Sequence, residues 1–92
     1  MRDIPDLTTE EREIVKATLR LGHIWIRASE NVGEFVETGG RTFCRQPDDT
    51  QYTKQYRNAL NTLITRGIVR HVAANQYVLT TIGLEVKKKL NA

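Results

Sequence analysis

The chain has 92 residues, of which 39% are hydrophobic and 27% are charged, and its formal net charge is +3. These fractions are typical of a globular protein and exclude collagen-like and strongly disordered sequences. The length predicts a single domain over residues 1–92. No apolar run approaches the roughly 20 residues of a membrane-spanning helix, and the N-terminal residues lack the apolar core of a signal peptide. We therefore expect a cytoplasmic protein that does not contact a membrane.

The charge is distributed unevenly along the chain. Residues 1–49 contain seven Lys or Arg and ten Asp or Glu, whereas residues 50–92 contain seven Lys or Arg and one acid, Glu85. The two halves therefore carry −3 and +6. A positive half favours a polyanionic partner such as nucleic acid, although a solvated charged surface is the commoner reason for a basic run.

The first predicted element is a helix from about Thr9 to Leu21. Thr8 and Glu11 have the spacing of a capping box at its start, and Gly22 supplies a stop at its end. Its apolar side is predicted to carry Ile14, Ala17, Thr18 and Leu21, widened by Val15 and Leu19.

From His23 to Arg45 the hydrophobic pattern changes to a period of two. Ile24 and Ile26 alternate with other residues as in a strand, and two short runs, Phe35-Val36 and Thr42–Cys44, flank Gly39-Gly40. Because consecutive glycines readily form a tight turn, we expect a strand followed by a β-hairpin. A short helix over residues 29–37 is the weaker alternative, since it would enclose Gly33.

A turn at Gln46–Thr50 leads into a long helix that ends at Gly67 and is capped by Asp48 or Asp49. Its apolar residues recur at helical spacing and share one side: Tyr52, Tyr56, Ala59, Leu60, Leu63 and Ile64.

Two strands are predicted next, Ile68–Val72 and Gln76–Thr80, joined through Ala73–Asn75. A short helix closes the chain over Thr81–Leu90, with Ile82, Val86 and either Leu90 or Lys89 on one side of it. The predicted fold class is α+β, in the order helix, strand and β-hairpin, long helix, second β-hairpin, short C-terminal helix.

The segment Tyr56–Val69 resembles the third helix of winged-helix proteins running into the first strand of the wing. The segment Tyr77–Gly83 resembles the second wing strand and the start of the closing helix in many bacterial winged-helix regulators. Gly39–Phe43, between two helices, is similar to small winged-helix-like modules of bacterial multidomain proteins. The resemblance implies a bacterial DNA-binding domain of a transcriptional regulator or DNA-targeting protein. It also implies a departure, because a β-hairpin replaces the second helix of the usual helix-turn-helix.

The polar side of the long helix is the predicted nucleic-acid contact. It carries no acid, and Arg and Asn side chains can pair with base edges while Lys and Thr can contact phosphates. The residues predicted there are Lys54, Arg57, Asn58, Asn61 and Thr65. In the implied wing, Arg70 and His71 are the candidates for the DNA backbone or minor groove.

Partner binding through the β-rich region is the alternative function. In an alternating strand Trp25 faces away from Ile24 and Ile26, and with Phe35 and Phe43 it can form an apolar patch for a protein partner or a second copy. Acidic residues such as Glu34 or Glu37 folding over the polar side of the long helix would favour this alternative. The domain would then be an interaction or regulatory module of a larger bacterial assembly.

Catalysis has little support in the sequence. Ser29 is the only serine, the two histidines suggest no triad, and the glycines match no phosphate-binding loop. Cys44, beside Arg45, is better explained as a small buried residue than as an activated thiol, and one cysteine makes neither an internal disulfide nor a cysteine-based zinc site. We therefore expect a non-enzymatic protein without a cofactor or a metal.

Overall fold

The computed structural model describes residues 7–20, 22–30, 33–43 and 50–91. Within these ranges the elements are α1 (Thr9–Ala17), β1 (Ile24–Ser29), β2 (Gly33–Thr38), β3 (Arg41–Phe43), α2 (Thr50–Thr65), β4 (Val69–Ala73), β5 (Gln76–Leu79) and α3 (Thr81–Leu90). This order confirms the predicted sequence of elements, and the strand β2 excludes the alternative of a helix over residues 29–37. The predicted caps Asp48 and Asp49, together with Cys44, lie outside the described residues.

The strands of the described chain form one antiparallel sheet in the order β3-β2-β1-β5-β4. The α+β class is therefore confirmed, and β1 is the central strand. Its residue Trp25 is paired with Glu37 on β2 and with Gln76 on β5.

The core lies between one side of this sheet and the helices. Successive side chains of a strand point to opposite sides, and β2 shows the consequence, since Val36 and Thr38 are buried while Phe35 and Glu37 are only partly covered. The buried apolar residues are Leu7, Ile14, Val15, Ile24, Ile26, Val36, Phe43, Tyr56, Ala59, Leu60, Leu63, Ile68, Val69, Leu79 and Val86.

Helix α1 starts as predicted but ends at Ala17, earlier than the predicted end at Leu21, which lies outside the described residues. Thr18 takes an extended conformation, and its hydroxyl donates to the carbonyl oxygen of Ile14 at 2.8 Å. The Thr38 hydroxyl on β2 donates to the Thr18 hydroxyl at 3.0 Å. This buried contact directs the chain out of the helix, so Leu19, predicted to widen the apolar side, is instead 64% exposed.

The β2–β3 turn packs against the end of α1. Gly39 and Gly40 both have positive φ values, 59° and 81°, as the predicted glycine turn requires. Gly39 also lies so close to α1 that a Cβ atom there would overlap the carbonyl oxygen of Ala17, whereas Gly40 has open space around it. Only Gly39 therefore combines a backbone requirement with a packing requirement.

Helix α3 is capped by Thr80, whose hydroxyl accepts a hydrogen bond from the Gly83 N–H at 3.0 Å. A Cβ atom at Gly83 would overlap the carbonyl oxygen of Ile68, so this turn of the helix lies directly against the chain before β4. With Gly83 and Val86 facing the core, Ile82 points outward and is 55% exposed. Of the residues predicted to share one side of this helix, Val86 is therefore buried, whereas Ile82 is exposed.

A buried phenol links α2 to α1. The Tyr56 hydroxyl donates to Glu13 Oε1 at 2.6 Å, and the Arg41 guanidinium on β3 lies 3.6 Å from the same carboxylate oxygen. Burial raises the pKa of Tyr56 far above its ordinary value, and the nearby Glu13 charge raises this pKa further. The phenol therefore stays protonated and keeps its hydrogen bond in the folded protein.

Candidate functional site

The α2 polar face is the exposed surface of α2 formed by Lys54, Asn58, Asn61 and Thr65, four of the residues predicted for nucleic-acid contact. They recur every three or four residues and therefore share one side of the helix. Residues 50–65 contain no Asp or Glu, so the helix itself contributes no negative charge to this face. The structure thus places these four side chains together in solvent, as expected.

Arg57, the fifth predicted residue of this helix, is held at the edge of the α2 polar face. Its side chain is 25% exposed; its Nε atom donates to Glu34 Oε1 on β2 at 3.2 Å, and its Nη1 atom donates to Asn61 Oδ1 at 2.6 Å. A guanidinium that is fixed between a carboxylate and an amide has less charge and fewer donors to offer a polyanion. The sequence prediction treated Arg57 as available, because the neighbour on β2 is 23 residues away along the chain.

A second carboxylate lies on the other side of the same face. A shallow groove of about 300 Å³ runs between the first turn of α1 and α2, and its lining includes Glu10, Gln55 and Asn58. Glu34 and Glu10 therefore flank the α2 polar face from opposite sides. A phosphate backbone that approached the face would encounter both charges.

The β4–β5 hairpin separates the two predicted wing residues. Val69 to Ala73 run along the sheet edge and are exposed after Val69. Arg70 is paired with Val78, whereas His71 is paired with Tyr77, and adjacent residues of a strand point to opposite sides. His71 contacts Tyr77, with ring centroids 5.0 Å apart, on the side of the sheet that bears the core. Arg70 lies on the other side and so does not share a surface with α2.

The open sheet face is the side of the sheet away from the core, and no helix of the described chain packs on it. Strand register places one continuous row of side chains across four strands of this face, in the order Thr42, Glu37, Trp25, Gln76. Neighbouring pairs Arg27–Phe35 and Arg70–Val78 lie on the same side. The face therefore has a tryptophan on its central strand, surrounded by cationic, acidic, amide and apolar side chains.

Trp25 is partly buried, and its ring contacts Arg27 and His23. The Arg27 guanidinium lies over the ring, 4.7 Å from the centroid, and Arg27 Nε donates to Glu37 Oε1 at 2.7 Å. The His23 ring centroid is 6.1 Å from the Trp25 ring. Stacking on an indole and a carboxylate partner together orient the guanidinium. Tryptophan and arginine are both residue types that are enriched where partner proteins bind.

Of the other aromatic residues predicted for partner binding, only Phe35 lies on the open sheet face, where it is half-buried. Phe43 has 0% exposed surface and stacks on Tyr56 in the core, with ring centroids 4.6 Å apart. Phe43 therefore has no side-chain surface for a partner to contact. The sequence missed Arg27 and Glu37 as members of the surface; Arg27 follows Trp25 at the spacing of one strand side, but the position of Glu37 depends on hairpin register.

The described residues hold no group of three or more His, Cys, Asp or Glu side chains that could ligate a metal ion. None of the helices in the described ranges is both long enough and apolar enough to cross a membrane. No protein-family model matches the chain, and no curated protein and no solved structure matches it either. A functional proposal for this protein therefore depends on its own surfaces.

Proposed function

We propose that the protein is a non-catalytic protein-interaction domain that binds a partner protein through the open sheet face. The observation that carries the proposal is the partly exposed Trp25 on the central strand, with Arg27 stacked on it. Tryptophan and arginine are the residue types most enriched among side chains that dominate binding energies, and such residues cluster near the centre of an interface.

The composition of the surrounding surface supports a protein partner. Phe35 and Val78 add apolar area, Gln76 and Thr42 add hydrogen-bonding groups, and Glu37 offsets the charge of Arg27. An interface core with aromatic residues and a polar rim has this composition. Because Arg27 already covers the Trp25 ring, a nucleic-acid base would have to displace it in order to stack there.

Site-specific photo-crosslinking in the source cells tests the proposal. A photoreactive amino acid is placed at Thr42, on the open sheet face, and in a matched strain at Thr62, which is exposed on α2. We expect one protein to crosslink from position 42 and not from position 62. Crosslinking of a partner from position 62 alone would overturn the proposal.

Binding to the purified partner supplies the quantitative test. We expect Trp25→Thr to weaken binding by about 2 kcal/mol, or roughly thirty-fold. Val78→Lys should also weaken it by placing a charge in the contact area. The control Leu19→Ala removes another exposed apolar side chain, outside the open sheet face, and should leave affinity unchanged. Wild-type affinity of a folded Trp25→Thr variant would contradict the proposal.

Nucleic-acid binding by a winged-helix-like domain is the second candidate function. The acid-free α2 polar face favours it, since Lys54 and Asn61 are exposed on the same side of the helix. The flanking Glu34 and Glu10 make it the weaker of the two. Transcriptional regulation and DNA targeting would be the corresponding roles.

Fluorescence anisotropy with mixed-sequence duplex DNA at two salt concentrations tests the second candidate. Binding through α2 predicts that Lys54→Ala lowers the salt dependence of log K by about 1, and that Asn61→Ala weakens binding. Arg27→Ala removes a cation from the open sheet face and serves as the control. Absence of binding at low salt, or equal loss in all three variants, would exclude recognition by α2.

A further inference from the structure

A groove between α3 and the segment that follows α1 is separate from both surfaces described above. Its volume is about 470 Å³, its lining is mostly apolar, and Leu84 is its large apolar side chain. The Leu84 side chain packs against the hydrophobic core and is only partly buried. We call this feature the α1–α3 groove.

The charges of the α1–α3 groove are predominantly positive. Arg20, Lys87 and Lys88 line it, and Glu85 is the one acid among the described residues that line it. Lys87 is fixed, because its Nζ atom donates to the carbonyl oxygen of Lys16 at 2.8 Å and so bridges α3 to the last turn of α1. This hydrogen bond places the positive charge of Lys87 at the C-terminal end of α1, which is the negative end of the helix dipole.

Arg20 and Lys88 remain as exposed cations on the lining of an apolar groove. The long side chains of both residues can cover apolar surface with their methylene groups while their charged ends meet a ligand. An occupant must therefore supply apolar side chains to the floor and carboxylates to the rim. A peptide with both features matches the groove better than a simple anion, which would leave the apolar floor unused.

We propose that the α1–α3 groove binds an acidic, amphipathic peptide segment of a partner protein. Leu84 contacts an apolar side chain of the segment, and Arg20 and Lys88 pair with its Asp or Glu residues. This site is independent of the open sheet face, so the failure of either proposal leaves the other standing.

Anisotropy titration of a fluorescein-labelled helical peptide with a Glu/Leu repeat tests the groove. Two control peptides carry Lys in place of Glu, or Ser in place of Leu. We expect saturable binding of the Glu/Leu peptide and at least about ten-fold weaker binding of both controls. Equal binding of the Glu/Ser peptide would show attraction by charge alone and would overturn the proposal, as would absence of saturable binding.

Two matched double variants locate the binding. Arg20→Glu with Lys88→Glu reverses the charges of the groove, whereas Lys54→Glu on α2 with Arg66→Glu directly after α2 makes the same change of net charge elsewhere. We expect the groove variant to lose about ten-fold or more in affinity for the Glu/Leu peptide and to gain affinity for the Lys/Leu peptide. Equal losses in both variants would overturn the assignment.

Anionic vesicles of phosphatidylglycerol and phosphatidylcholine test a lipid surface as the other source of negative charge. Under the proposal, the protein binds these vesicles no better than neutral ones. Binding that requires Arg20 and Lys88 and is seen only with the anionic vesicles, without binding of the Glu/Leu peptide, would replace the peptide by a membrane surface.

Discussion

The tight β2–β3 turn provides a matched pair of substitutions, Gly39→Ala and Gly40→Ala. Both glycines have positive φ values, so an alanine is strained at either position by about 1–2 kcal/mol. Replacing a glycine also reduces the entropy of the unfolded chain, and this stabilises the folded protein by about 0.4–1 kcal/mol. A Cβ atom at Gly40 would meet no other atom within 4 Å, so Gly40→Ala should lower the unfolding free energy by about 1 kcal/mol or less.

Gly39→Ala adds a steric conflict with the backbone of α1. The new Cβ atom would overlap the Ala17 carbonyl oxygen and would lie 2.7 Å from the carbonyl carbon. Backbone atoms of a helix end cannot rotate away as a side chain can, so the turn or the helix must shift and weaken the buried contact between Thr18 and Thr38. Overpacking of this kind costs about 1–3 kcal/mol, and a total of about 3 kcal/mol is expected.

Urea unfolding measures both substitutions. Trp25 is the only tryptophan, so its fluorescence reports on the central strand without labelling, and circular dichroism reports on the helices. The difference in unfolding free energy between the two variants should be about 2 kcal/mol, with Gly39→Ala the less stable. Equal costs would show that the turn does not contact the end of α1 as closely as the structure indicates, and the packing requirement at Gly39 would then be wrong.

Three other predictions concern single side chains. Above pH 10 the stability of the protein should fall by up to about 1.4 kcal/mol per pH unit, because Tyr56 ionises only in the unfolded chain; Tyr56→Phe should reduce this slope in urea unfolding measured from pH 9 to 11. Thr80→Val should cost about 1–3 kcal/mol in the same assay, since it removes the α3 cap, whereas Thr81→Val, at an exposed neighbouring position, should cost much less. Glu34→Gln should leave stability within about 1 kcal/mol, because the Glu34 side chain is mostly exposed, and should strengthen DNA binding if α2 recognises nucleic acid. Unchanged or weaker DNA binding of a Glu34→Gln variant would count against recognition through Arg57.

The order of elements was predictable from local signals. The spacing of apolar residues marks α2, and the capping box of Thr8 and Glu11 forms as expected, with both of its hydrogen bonds present. The Gly39-Gly40 turn and the change of period after α1 predict the β2–β3 hairpin. These signals act between residues that are close along the chain, where the periodicity of a helix or strand is expressed directly.

The ends and rotations of the outer helices were decided by tertiary contacts. Thr18 ends α1 because its hydroxyl meets Thr38, and Ile82 is exposed because Gly83 packs on the chain at Ile68. Each of these contacts joins residues from different elements. Periodicity shows that a helix has an apolar side, but not where packing stops the helix or which turn approaches a neighbour most closely.

The candidate functional surfaces also combine features that follow from the sequence with features that only the tertiary structure sets. The sequence by itself determined that α2 carries an acid-free polar side and that Trp25 lies opposite Ile24 and Ile26, because both follow from the period of one element. Only the tertiary structure decided that the Glu34 carboxylate pairs with the Arg57 guanidinium. It also decided that Arg70 and His71 lie on opposite sides of the sheet. Pairing between strands and packing of a helix on a sheet depend on register over many residues, and no local spacing encodes that register.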